Sequence, residues 1–119
     1  MVYLSEHRSL AALETLVHAL RPELLDGHYL LIEVTIPDEL ILTLDHAALQ
    51  PGWSNSTDFT LSQALGDAWL TEQASLALKV PSAVIPEENN LLLAPGHADW
   101  PQMTIGEARP FPFDPRLTT

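Results

Sequence analysis

The sequence predicts an α+β domain of mixed, short-stranded sheets with two or three helices. Three observations carry this. Apolar residues recur at helical spacing near the N-terminus, period-two runs follow in several later segments, and seven of ten prolines fall from Pro81 onward. Prolines in and beside strands mark edges and bulges, so the last third should hold short strands.

The first element is expected to be an amphipathic helix over residues 5–20. Ser5 is a good N-cap, Glu6 suits the first turn, and Arg21-Pro22 stops the run. Leu10, Leu13, Val17 and Leu20 form its apolar stripe. Tyr29 to Ile36 then alternates as one half-buried strand, with Leu30, Ile32, Val34 and Ile36 inward, closed by Pro37-Asp38. Leu40, Leu42 and Leu44 predict a second strand. Residues 45–59, with Pro51-Gly52 and Ser54-Asn55-Ser56, read as loop. Thr57 or Thr60 caps a short helix reaching Leu70, with Leu61, Leu65 and Trp69 on one face. Strands are predicted at 75–80 and 91–93, with short ones at 103–108 and 110–113.

At 119 residues and 13.1 kDa the expectation is a single domain over 1–119. A chain this long buries roughly two-thirds of its unfolded surface, enough for a core without staples. It has no cysteine, which excludes a disulfide scaffold and a thiol nucleophile and fits a reducing cytoplasm. No apolar run approaches the roughly 20 residues of a membrane span, and the N-terminus lacks the pattern of a secretory signal. A cytoplasmic protein is the expectation.

Charge narrows the partners. Sixteen acidic residues against five basic ones give −11, a surface that repels phosphate backbones. Direct nucleic-acid binding is not expected, whereas a basic protein partner suits such a surface. Only Arg8, Arg21, Lys79, Arg109 and Arg116 are available to grip a nucleotide's phosphates.

Glu14 is the leading candidate for chemistry. It lies about 40° from Leu10 on the helix wheel, beside the apolar stripe rather than opposite it. A carboxylate at a core margin needs partners, and such groups concentrate at functional sites. The bland alternative is an ion pair with Arg21 or His18. His7, Glu14 and His18 share one flank at a spacing that could hold a metal, but five histidines in an acidic chain make that coincidence easy. No metal is expected.

Ser82 follows Pro81 at a strand break, without the Gly-x-Ser-x-Gly context of an acyl-transfer nucleophile. Its ordinary role there would be to satisfy backbone groups. Tyr3, Trp53, Trp69 and Trp100 can each stack on a flat ligand or pack a core; for Trp69 the core is favoured. No phosphate-binding glycine loop is present.

Four blocks together resemble the RES domain family. Val2 to His7, running into Leu10 to His18, resembles its opening helix, and Gly66 to Leu70 its mid-domain helix end. Val80 to Asn90 is similar to its most recognisable segment, and Phe113 to Leu117 to its finish. The family is named for an arginine, a glutamate and a serine. The resemblance implies a fold like the ADP-ribosyltransferase core and a toxin that degrades NAD, silenced by a Xre-like helix-turn-helix antitoxin.

By the match Glu14 is the family glutamate, Ser82 the serine, and Tyr3 a tyrosine beside the nicotinamide. Glu14 would stabilise the oxocarbenium character at the ribose carbon, and Ser82 would bind ribose or orient Glu14. The expected partners are NAD, as substrate with no tightly held cofactor, and the antitoxin; a homodimer is open. The family arginine lies upstream of the matched blocks, so the chain is expected to be an RES domain lacking its N-terminal strand or strands. Lys79 is the one replacement clamp suggested for the pyrophosphate. Ala94 stands where the family tends to place asparagine before the proline. The alternatives are a non-catalytic remnant that binds only the antitoxin, and a metal-dependent hydrolase using His7, Glu14 and His18.

Overall fold

The computed structural model describes residues 1–18, 29–44 and 60–118. The stop at Arg21-Pro22, Leu20, Trp53, the cap at Thr57 and the loop at 45–59 lie outside them. So do the side chains of His18, Leu61 and Leu65.

The fold is α+β, as the sequence predicts. Its elements are β1 (Val2–Ser5), α1 (Arg8–His18), β2 (Leu30–Leu31), β3 (Val34–Thr35), β4 (Ile41–Thr43), α2 (Thr60–Glu72), β5 (Ala77–Pro81), β6 (Asn89–Leu93), β7 (Thr104–Ile105) and β8 (Arg109–Pro110). A four-stranded mixed sheet in the order β1-β6-β5-β4 forms the centre. β1 and β5 each pair antiparallel with β6, and β4 runs parallel to β5.

The central strand β6 reads Asn-Asn-Leu-Leu-Leu, and all three leucines are buried. A continuous apolar run suits a strand covered on both faces. Leu92 and Leu78 pack with Trp69 of α2 on one face. Leu91, Leu93 and Ala77 pack on the other, under Leu4, Ile36, Trp100 and Met103. Trp69 is core, as expected, and its indole N–H donates to Ser75 Oγ at 2.9 Å. α2 runs two residues past Leu70 and stops at Gln73, whose φ of 53° is left-handed.

Three expectations are corrected. Residues 2–5 are a strand, so Ser5 is not the N-cap of α1. The β-prone Val-Tyr-Leu triplet finds a partner in Leu91–Leu93, which local helix signals cannot reveal. Within α1, Leu10 is 1% exposed, but Leu13 is exposed and Val17 is 60% exposed. The inward line of the helix therefore runs from Leu10 to the half-buried Glu14, rotated from the expected stripe.

The single strand expected over 29–36 is instead two short ones. Leu31 pairs with Arg109 and Val34 with Ile105, so Ile32 and Glu33 face three residues, Gly106 to Ala108. The extra residue on the 105–109 side is a β-bulge, which interrupts the ladder. Leu30 is 64% exposed and Ile32 is also exposed, while Leu31, Val34 and Ile36 are half-buried, so the inward side changes phase across the break. Gly106 donates to Glu33 O at 2.7 Å, and a Cβ there would lie 3.1 Å from that oxygen. Edge-to-face contacts of Tyr29 and Phe111 with Phe113 fasten this ribbon to the tail.

Candidate functional site

Pro81 ends β5 opposite Asn89, and residues 82–88 turn the chain into β6. Ser82 holds this turn together. Its N–H donates to Glu88 O at 2.9 Å, and its Oγ accepts from the N–H groups of Val84 and Ile85 at 3.0 and 3.1 Å. The hydroxyl hydrogen remains, and it goes to Glu14 Oε1 at 2.7 Å. A serine hydroxyl has one donor and two lone pairs, so Ser82 Oγ is fully engaged. At 0% exposure it is also sealed from solvent.

Glu14 reaches this point because β1 passes directly into α1 through only Glu6 and His7. That short connection lays the inward line of the helix against the end of the β5–β6 hairpin. Glu6 reinforces the junction, accepting from Asn89 N–H at 2.9 Å while its own N–H donates to Asn89 O. Asn90 Nδ2 donates to Glu14 Oε1 at 2.8 Å, and Ser5 Oγ donates to Asn90 Oδ1 at 2.8 Å. Two donors, from Ser82 and Asn90, thus converge on one carboxylate oxygen. Hydrogen bonds to an ionised acceptor are roughly twice as strong as neutral ones. Among the described residues no buried side-chain nitrogen or oxygen lacks a partner.

The structure brings Glu14 and Ser82 together, and Tyr3 shares their side of the sheet. Tyr3 lies opposite Leu92 and Ser5 opposite Asn90, so all four side chains project from one face. Tyr3 is 71% exposed, an open aromatic surface on that face. Lys79 is not brought to this group. It pairs with Leu91 on the opposite face and lines a cavity of about 240 Å³ with Leu4, Glu6, Val34 and Ile41.

Two further cations are occupied elsewhere: Arg8 lies 3.8 Å from Glu33, and Arg116 lies 2.7 Å from Asp114. His7 stands 3.8 Å from Glu6. Among the described residues no three His, Asp or Glu side chains gather as metal ligands; the side chain of His18 falls outside them. Among the same residues no helix is long and apolar enough to cross a membrane.

Asn90 and Ser5 were not singled out from the sequence. The signal available for Asn90 was an asparagine inside a strand ahead of three leucines, against strand propensity. Ser5 gave none, because its helix-cap reading was locally self-consistent.

Comparison with known proteins gives one family. The RES domain profile matches residues 1–114. A protein of Sphingobium sp. named Prs ADP-ribosylating toxin is 35% identical over 98% of this chain and 74% of its own length. A protein named Toxin Res from Yersinia enterocolitica is 37% identical over 98% of this chain and 76% of its own length. Another Toxin Res, from Photorhabdus laumondii, is 37% identical over 83% of this chain and 63% of its own length.

Proposed function

The chain belongs to the RES domain family, and from that premise we propose that it is a toxin that consumes NAD by cleaving the nicotinamide–ribose bond. The toxin role is supported by the names of its relatives. ADP-ribosylation, the activity one name carries, breaks the same N-glycosidic bond when NAD is the donor. The observation that carries the reading is the Ser82–Glu14 hydrogen bond of 2.7 Å, which holds a half-buried carboxylate on the side of the sheet from which the exposed Tyr3 projects.

In the proposed reaction the C1′–N bond breaks and its electron pair returns to the pyridinium nitrogen, releasing neutral nicotinamide. Positive charge develops on C1′ and the ring oxygen, and the Glu14 carboxylate stabilises it. An oxygen of water or phosphate then bonds to C1′; water gives up a proton to the solvent. Tyr3 offers its ring to the flat leaving group. Ser82, fully engaged, positions Glu14 and does not attack. NAD enters as substrate, and no tightly bound cofactor is assigned. Lys79, on the other face, is not assigned to this site.

A second reading rests on charge. With −11 overall and two of the four Lys and Arg among the described residues engaged by carboxylates, the surface suits a basic protein partner, and we assign a Xre-like helix-turn-helix antitoxin to that role. Incubation of the purified protein with NAD, followed by chromatography of free nicotinamide, tests the catalytic reading. Turnover that disappears in Glu14→Gln supports it. Absence of turnover in the wild-type chain, together with capture of the antitoxin, would leave only the binding reading.

A further inference from the structure

We propose that Asn90 is a positioning residue for the Glu14 carboxylate, oriented in turn by Ser5; this rests on the catalytic reading of Glu14 above. The polarity of the chain of hydrogen bonds is fixed from one end. An ionised carboxylate only accepts, so the side of the Asn90 amide facing Glu14 must be Nδ2. Its Oδ1 then faces Ser5, whose hydroxyl must donate, which is the arrangement observed at 2.8 Å for both bonds. Removing the Ser5 hydroxyl takes from Asn90 Oδ1 the donor that holds the far end of the amide in place.

The placement is built into the sheet. Asn90 lies on the central strand β6, directly between Ser5 on β1 and Val80 on β5. Both neighbours project from the face that carries α1, so the amide has one route outward, toward Glu14. Asn90 and Ser82 approach the same oxygen, Oε1, from the two ends of the turn at 82–88. Two donors on one oxygen fix its position more tightly than either donor alone. A merely structural tether between helix and hairpin is already provided by Glu6 and Asn89.

The test compares kcat and KM for NAD across pH in the wild type, Asn90→Ala, Asn90→Asp, Ser5→Ala and Glu14→Gln. Thermal unfolding of each variant runs alongside. Misalignment of a reacting group costs up to about 100-fold, so Asn90→Ala should lower kcat roughly 10- to 100-fold with KM nearly unchanged. Asn90→Asp is the sharper probe. Its introduced carboxyl can donate to Glu14 only while protonated, and two carboxyls this close share one proton. Its turnover should therefore be best at acidic pH and fall as pH rises across a range where the wild type is flat. Ser5→Ala, at a strand end, should retain the fold and lose about 3- to 10-fold in kcat.

Three results overturn the inference while leaving the catalytic reading intact, provided Glu14→Gln is inactive. They are an unchanged kcat in Asn90→Ala, a wild-type pH profile in Asn90→Asp, or losses that follow lowered melting temperature alone. Full turnover by Glu14→Gln, or none by the wild type, overturns the catalytic reading itself and this inference with it.

Discussion

Ser82 Oγ lies 2.7 Å from Glu14 Oε1 across 68 positions of sequence, and it spends its only hydrogen on that contact. The same oxygen accepts the N–H groups of Val84 and Ile85, so one buried atom ties a turn to a helix.

Removing that hydroxyl should weaken the turn it ties. We predict that Ser82→Ala loses about 1–3 kcal/mol of stability, because two turn amides and a carboxylate each lose a partner in a buried place. Urea unfolding reads this as a lower midpoint at unchanged slope. A variant as stable as the wild type would mean that water replaces the hydroxyl.

Glu14→Gln keeps the size of the side chain and removes the charge. The prediction is a loss of roughly 100- to 1,000-fold in nicotinamide release, the scale of a lost electrostatic stabiliser. Circular dichroism should be unchanged, since the amide oxygen can still accept from Ser82 and Asn90.

Gly66, within α2, is buried against the Met1 side chain. An added Cβ would meet Met1 Cε at 3.3 Å and Leu92 Cδ1 at 3.9 Å. The tighter neighbour is the end of a flexible side chain, while alanine gains about 0.5–1 kcal/mol over glycine in a helix. Gly66→Ala should therefore raise the melting temperature by a few degrees in a thermal scan. A fall would show that Met1 cannot move aside.

Trp69→Ala removes the largest side chain of the core cluster beneath α2 and takes the indole donor from Ser75 Oγ. A loss of about 3–5 kcal/mol is expected, enough to unfold a marginal domain at 37 °C. Trp69→Phe should cost clearly less, keeping the packing and losing only the indole N–H. Equal losses in the two variants would contradict the core assignment.

The pair at the C-terminal turn predicts a pH effect. The side-chain and backbone hydrogen bonds from Arg116 hold the Asp114 carboxyl below its ordinary value of 3.8. The sign follows from linkage: the tie is fully present above 3.8 and is lost as pH falls through the depressed value. Carbon-13 titration of Asp114 should show a midpoint below 3.8 that rises toward the ordinary value in Arg116→Ala, where the backbone hydrogen bond remains.

Much of this architecture was legible in the sequence where one local signal dominated. The Leu91–Leu93 run, the Pro81 break and the Trp69 face each carried a single physical meaning, and each is found in place. The misreadings came where the answer lay in a distant partner. Val2 to Ser5 becomes a strand only because Leu91–Leu93 lies alongside, and Ser5 otherwise makes a convincing cap. The ladder breaks at Ile32-Glu33 where the facing strand, more than 70 positions away near Gly106, carries an extra residue. Glu14 stood out because a carboxylate beside an apolar stripe needs an explanation. Asn90 escaped notice because polar residues at strand starts are common and its partners, Ser5 and Glu14, are remote.

The carboxylate cluster draws Ser5 and Glu14 from one end of the chain and Ser82 and Asn90 from far along it. Synthesis runs from the N-terminus, so Glu14 leaves the ribosome long before either of its donors has been made. A chain caught mid-translation holds the acid without the groups that aim it. The cluster is complete only once Asn90 has been made and β6 has paired with β1.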